Sequence, residues 1–204
     1  MIASVDHGFV LLANPKCAST ALESAFGHVA EFTVSKKPHW KHLSYRQYRE
    51  IFGDYFERNG CDVFAVVRDP FDLLCSWWRY RQRPKILDPA HPRHANRTSE
   101  VSFREWLHEW GSHNPPPRAR VGGQKETLCD HDGAPGEIRF YRYEDLDGLV
   151  AELNRRIGGD VTLARSNESP QIAVDATTDD AWPIARFREE WAFYEAVLER
   201  AGAA

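Results

Sequence analysis

The sequence predicts an α/β protein, with a central, mainly parallel sheet flanked by helices in a single domain. Three observations carry that expectation. Apolar runs of strand length alternate with segments of helical period, the order expected of strand–helix–strand units. The clearest strand, residues 61–67 (CDVFAVV), is a near-continuous apolar run rich in β-branched residues, as in a strand buried on both faces. The 204 residues are 42% hydrophobic and 27% charged, an ordinary globular balance that excludes a collagen, a coiled-coil rod and a mostly disordered tail.

The elements follow in order. Residues 8–14 (GFVLLAN) read as a buried strand that stops at polar turn residues. Ser19 and Thr20 open a helix, because Ala21, Leu22, Ala25 and Phe26 recur at helical spacing behind them. Residues 31–34 form a second strand, and Ser44 caps a helical pattern that runs to Phe52. After residues 61–67, Pro70 occupies the first turn of a helix that continues through Trp78 and Tyr80. Residues 137–143 are a further strand, 145–157 a helix and 184–200 an amphipathic helix. Residues 84–99 break the pattern. They carry Pro84, Pro89 and Pro92 without a period, which predicts a long loop, and loops of that length are usually functional or disordered. Between positions 79 and 104, seven Lys/Arg meet two acids, a local net +5 in a chain of net charge −4. A second irregular stretch, residues 114–123, holds three consecutive prolines.

The acidic balance, with a pI near 6.1, argues against a general nucleic-acid coat. No apolar run approaches the ~20 residues of a membrane span. Residues 1–7 show no basic region followed by an apolar core, and Cys17, Cys61, Cys75 and Cys129 form no Cys-x-x-Cys pair. The expectation is a reduced cytoplasmic protein, with Cys61 and Cys75 as small core residues. His39-x-x-His42 and His91-x-x-His94 are each half of a metal site without completing ligands, so no metal is expected.

Two segments carry chemistry. Asn14-Pro15-Lys16-Cys17-Ala18-Ser19-Thr20 joins a strand to a helix start. That junction aims backbone N–H groups at one point and favours a phosphate-like anion. Lys16 adds a charge, and Ser19 and Thr20 add hydroxyls. The arrangement is P-loop-like, although it lacks Gly-x-x-x-x-Gly-Lys-[Ser/Thr]. Ala18 keeps the loop tight provided its φ stays negative. The second segment begins with Arg68 at the end of the 61–67 strand, on the sheet edge where open α/β sheets bind ligands. The planar Arg68 fork suits phosphate, and Ser76 lies two turns into the next helix.

Together, Lys-x-x-Ser-Thr after the first strand and Arg-x-Pro-x-x-x-x-x-Ser after a later one resemble the sulfotransferases that use 3′-phosphoadenosine 5′-phosphosulfate (PAPS). Gln124 followed by residues 137–146 (EIRFYRYEDL), Asn167-Glu168-Ser169, and residues 187–194 extend the resemblance over nearly the whole chain. The absence of the glycine-rich adenine segment of the phenol and steroid enzymes favours the carbohydrate-type branch, and the compact length resembles its bacterial members. The resemblance implies PAPS as co-substrate, with Pro15, Lys16, Cys17, Ala18, Ser19 and Thr20 around its 5′-phosphosulfate and Arg68 and Ser76 on its 3′-phosphate. The acceptor is then a hydroxyl or amine of a saccharide or small molecule, and the basic segment suits an anionic one.

In-line sulfuryl transfer builds charge on the bridging oxygen, a task for Lys16. It also needs a general base. His42 leads, followed by His39 and then Glu23 on the first helix. Two other readings remain open: a kinase with a degenerate P-loop, and a non-catalytic module that binds PAP or sulfated ligands.

Overall fold

The computed structural model of the chain describes residues 1–164 and 169–202, the side chains of Pro38, His39, Ala201 and Gly202 excepted. Asn167 and Glu168, part of the Asn-x-Ser resemblance, lie outside the described residues. In chain order the strands are β1 (Ile2–Ser4), β2 (Phe9–Leu11), β3 (Phe32–Thr33), β4 (Asp62–Val67) and β5 (Arg139–Arg142). The helices are α1 (Ser19–Phe26), α2 (Pro38–Lys41), α3 (Tyr45–Tyr48), α4 (Asp54–Arg58), α5 (Pro70–Tyr80), α6 (Pro84–Leu87), α7 (Phe103–Gly111), α8 (Gln124–Leu128), α9 (Leu146–Ile157), α10 (Thr178–Ala181) and α11 (Ala185–Gly202). Among the described residues no helix is long and apolar enough to cross a membrane.

The fold is mixed α/β, and the sheet order is β3-β1-β2-β4-β5. β2, β4 and β5 are parallel, with Val10 opposite Val63 and Val66 opposite Tyr141. The expectation of a mainly parallel sheet is corrected at one side. β1, which the sequence reading did not anticipate, pairs antiparallel with both β2 and β3. Its three residues are too few to display a period. They fold back through a tight turn that Gly8 closes, its N–H bonded to the Val5 carbonyl at 3.2 Å and its φ at +66°.

The chain falls into two compact units. The first comprises Met1–Arg68, Gln124–Asn167 and Phe193–Ala204 and contains the whole sheet. Its core joins Val10, Leu12, Ala65 and Val67 to Tyr48, Phe56, Phe193 and Val197. Phe56 anchors an aromatic group, with Phe32 5.2 Å and Tyr55 5.3 Å away, both edge-on. The helix expected over 44–52 begins with a capping box from Ser44 and Gln47 and then widens into a π-turn over Arg49–Gly53.

The second unit, Asp69–Gly123 with Glu168–Ala192, is helical and holds much of the tryptophan. Trp78, Trp106 and Trp110 pack with Phe103 and Phe187 in its core. Two of its indoles bond to backbone: Trp106 donates to the Arg118 carbonyl at 2.6 Å and Trp78 to that of Val101 at 3.3 Å. The basic stretch is not one long loop. Residues 84–99 contain α6 and a 3₁₀ turn at His94–Asn96, with Ile86 and Thr98 buried. Its neighbours in the positive segment hold structure together. The buried Arg81 guanidinium donates to the carbonyls of Pro117 and Arg120, and burial pushes its pKa down to about 10. Arg79 donates to the Ile172 carbonyl, Arg97 pairs with Glu100 and Arg104 with Asp180.

Candidate functional site

The three parallel strands of the first unit finish on one edge. β2 runs into residues 14–18, β4 into Arg68 and β5 into Tyr143. Ligands of open α/β sheets sit at this edge.

Between β2 and α1 the backbone enters the left-handed region twice, at Lys16 (φ 65°) and Ala18 (φ 56°), the positive-φ residues other than glycine among the described residues. The tight turn at Ala18 is thus reached at positive φ, the conformation that the sequence reading held an alanine unsuited to. An L-residue in this region costs about 1–2 kcal/mol, and such strain persists only where surrounding structure fixes it. The fixing groups are buried side chains. Asn14 Nδ2 donates to the Val66 carbonyl at 2.8 Å and to Gln124 Oε1 at 3.2 Å, and lies 3.3 Å from Cys17 Sγ. Gln124 is fully buried. Its Oε1 accepts the Arg68 N–H at 2.8 Å, and its Nε2 donates to the Arg68 carbonyl at 2.7 Å. One carboxamide therefore fixes both the strained loop and the end of β4. Cys17 fills the inside of the loop, and burial pushes its thiol up to about 12, so it stays protonated.

The loop delivers a helix end suited to an anion. α1 has no side-chain cap and no acid in its first turn. In contrast, Ser44, Asp69 and Ser102 cap α3, α5 and α7. The N-terminal N–H groups of α1 and the positive end of its dipole thus remain for an external anion. The Arg68 guanidinium lies 4.2 Å from the centre of the Tyr143 ring, and its Nη1 donates to the Lys16 carbonyl at 3.4 Å. The structure thus brings Pro15, Lys16, Cys17, Ala18, Ser19, Thr20 and Arg68 to one edge. Ser76 is a buried residue of α5 in the second unit.

Of the candidate bases, His42 lies at the root of the loop. Its Nδ1 donates to the Ala13 carbonyl at 2.6 Å, which places the unprotonated nitrogen at Nε2. Burial holds its pKa below the ordinary histidine value, with Lys41 acting in the same direction. Glu23 is engaged differently: its carboxylate pairs with Lys41 Nζ at 2.6 Å and with the Met1 amine at 3.4 Å. Lys41 also donates to Thr20 Oγ1 at 3.2 Å. The side chain of His39 lies outside the described residues. Among the described residues no group of three or more His, Cys, Asp or Glu is placed to hold a metal ion.

Sequence reasoning gave Asn14, Gln124 and Tyr143 no role of their own in the site. Asn14 reads as a turn residue, and Gln124 enters only through resemblance. Cys17 apart, these hydrogen-bond partners of the Asn14 and Gln124 side chains lie 52 to 110 positions away, so no local pattern marks them. Compared with family models, characterised proteins and solved structures, the chain matches none.

Two measurements follow from this geometry. Ala18→Gly removes the left-handed penalty but frees the unfolded chain, so urea unfolding should show a gain of about 0.5–1 kcal/mol; a loss would mean that the loop does not need positive φ there. Gln124→Ala strands the Arg68 backbone and the Asn14 amide in a buried site and should cost about 3 kcal/mol in the same assay.

Proposed function

We propose that this chain is a PAPS-dependent sulfotransferase with a P-loop-like anion cradle, moving a sulfuryl group to a hydroxyl or amine of a saccharide or small molecule. The observation that carries the reading is the pairing of the strained loop at residues 14–18 with Arg68, two basic segments locked to one buried carboxamide. The resemblance in sequence supports it independently, because the same two segments are those that would grip a doubly phosphorylated nucleotide.

The residues fit such a group. Uncapped N–H groups of α1 receive the 5′-end, and the Arg68 fork receives the 3′-phosphate. PAPS supplies a sulfuryl group already activated on a phosphate leaving group. In this reading the Lys16 ammonium stabilises the negative charge that develops on the bridging oxygen, so its effect falls on the transition state more than on binding. His42 serves as base. The Ala13 carbonyl holds the proton on Nδ1, so Nε2 can take the proton of the acceptor. Glu23 neutralises Lys41 instead of competing for that role.

Thermal unfolding with added nucleotides tests the class. PAP (3′-phosphoadenosine 5′-phosphate) should stabilise the protein without magnesium, and AMP much less. Arg68→Ala should weaken PAP by more than ~1.5 kcal/mol, the scale of a charge-assisted hydrogen bond, with AMP nearly unchanged. Lys16→Ala should fold normally and lose most sulfate transfer from PAPS. Stabilisation by ATP with magnesium, and none by PAP, would replace this reading with a kinase.

The pH profile tests the base. A base works only as neutral imidazole, and the neutral fraction falls as pH drops through the folded pKa. Because that pKa lies below the ordinary value of about 6.5, the acid limb of turnover should lie below pH ~6.5. His42→Asn should cut turnover by roughly 10²-fold and abolish that limb, with PAP affinity kept. An unchanged limb in the variant would remove His42 from the mechanism.

A further inference from the structure

An open groove of about 450 Å³ lies on the first unit, lined by Thr33, Val34, Ser35, Lys36, Lys37 and Trp40. That volume falls within the range of small-molecule sites, about 300–1,000 Å³. Its chemistry is selective. Trp40 leaves 42% of its surface exposed, unusual for the largest apolar side chain. Two adjacent lysines and two hydroxyls share the lining, and among the described residues no carboxylate does. Among the described residues, no ion pair takes up Lys36 or Lys37. The nearby acids are spent elsewhere: Glu31 accepts from Ser4 Oγ and the Val5 N–H, and Glu23 pairs with Lys41.

The backbone of the segment that lines the groove is held in place. Its wall begins at β3, the edge of the sheet, and the Lys37 carbonyl accepts the N–H groups of both Trp40 and Lys41 at 3.0 and 2.8 Å. That turn fixes Trp40 beside Lys37. The two ends of the segment are tied to one buried group, since the Met1 amine donates to the carbonyls of Val34 and Lys41. One residue further on, His42 bonds to the root of the strained loop.

From this juxtaposition we infer that the groove is the binding subsite for an acidic saccharide acceptor, with Trp40 under a pyranose face and Lys36 and Lys37 on its carboxylate or sulfate. The C–H groups of a pyranose ring carry partial positive charge and pack on the negative face of an indole. The ammonium groups supply point charges without demanding one anion geometry. The hydroxyls of Ser35 and Thr33 match those of a sugar. The assignment rests on the sulfotransferase reading for its word "acceptor", while binding itself can be read without any transfer.

Isothermal titration with trigalacturonate, a chondroitin sulfate tetrasaccharide and neutral maltotriose tests it, beside PAP titration of the same protein. At least one acidic sugar should bind, tighter than maltotriose, with affinity falling as salt rises. Trp40→Ala should weaken it roughly fivefold or more, and Trp40→Phe should restore most of the loss. Lys36→Glu with Lys37→Glu should abolish the preference for the acidic sugar. All three positions are exposed, so unchanged melting temperatures will separate lost contacts from lost folding. Binding to neither acidic sugar, equal binding of maltotriose, or variants that bind like the parent protein would overturn the inference. PAP binding with no acidic-sugar binding leaves the sulfotransferase reading standing without this subsite. Acidic-sugar binding that depends on Trp40, with no PAP binding, leaves the subsite standing and removes the sulfotransferase reading.

Discussion

The buried carboxamide of Gln124 is the constraint on which the rest of the site depends. The chain leaves the first unit after Arg68 and returns at Gln124. The returning residue closes that excursion with two hydrogen bonds to the departing one, at 2.8 and 2.7 Å. A backbone N–H and C=O at the end of a buried strand need partners, and β5 pairs β4 only as far as Val67. Gln124 supplies what a further strand residue would. Loop closure grows only logarithmically in cost with loop length. A long inserted segment can therefore be accommodated, provided its base is pinned. The same Oε1 also takes Asn14, so the pin extends to the strained loop.

That pin explains how alanine and lysine occupy backbone conformations that glycine adopts freely. Asn14 is held at the start of the loop, and Cys17 is packed inside it, leaving the two residues on either side of Cys17 in left-handed turns. The strain is then a property of the assembled edge, not of the local sequence. Burial acts on the titrating groups in a consistent way. It raises the Cys17 thiol and lowers His42, so both are neutral near pH 7. The Lys41 charge is offset by Glu23.

Much of this was legible in residues, and the rest was not for definite reasons. Strong periodic or apolar segments were readable: β4, α5, β5, α9 and α11 all fall within a few residues of their expected limits. Tertiary partners decide what was missed. β1 is a strand because β2 and β3 flank it, not because three residues announce one. α6 is a single turn after Pro84, too brief to show a 3.6-residue period. Ala18 carries no mark of positive φ, since nothing in an alanine favours it. Asn14 and Gln124 act through contacts 110 positions apart. Lys16, Arg68 and His42 could be singled out because their chemistry is local, whereas the groups that orient them are remote.

The local excess of positive charge shows why composition alone misleads about an anion site. Arginines dominate the segment from 79 to 104, yet Arg79 and Arg81 are committed to carbonyls and Arg97 and Arg104 to carboxylates. A guanidinium has five donors in a rigid fork and is well suited to stitching loops together. Much of that positive charge is therefore structural. In the first unit, Lys16 and Arg68 lie at the strand ends, and Lys36 and Lys37 lie beside Trp40. Screening is substantial beyond about 8–10 Å at physiological salt. Where a cation is placed thus matters more than the net charge, which is −4 for this chain.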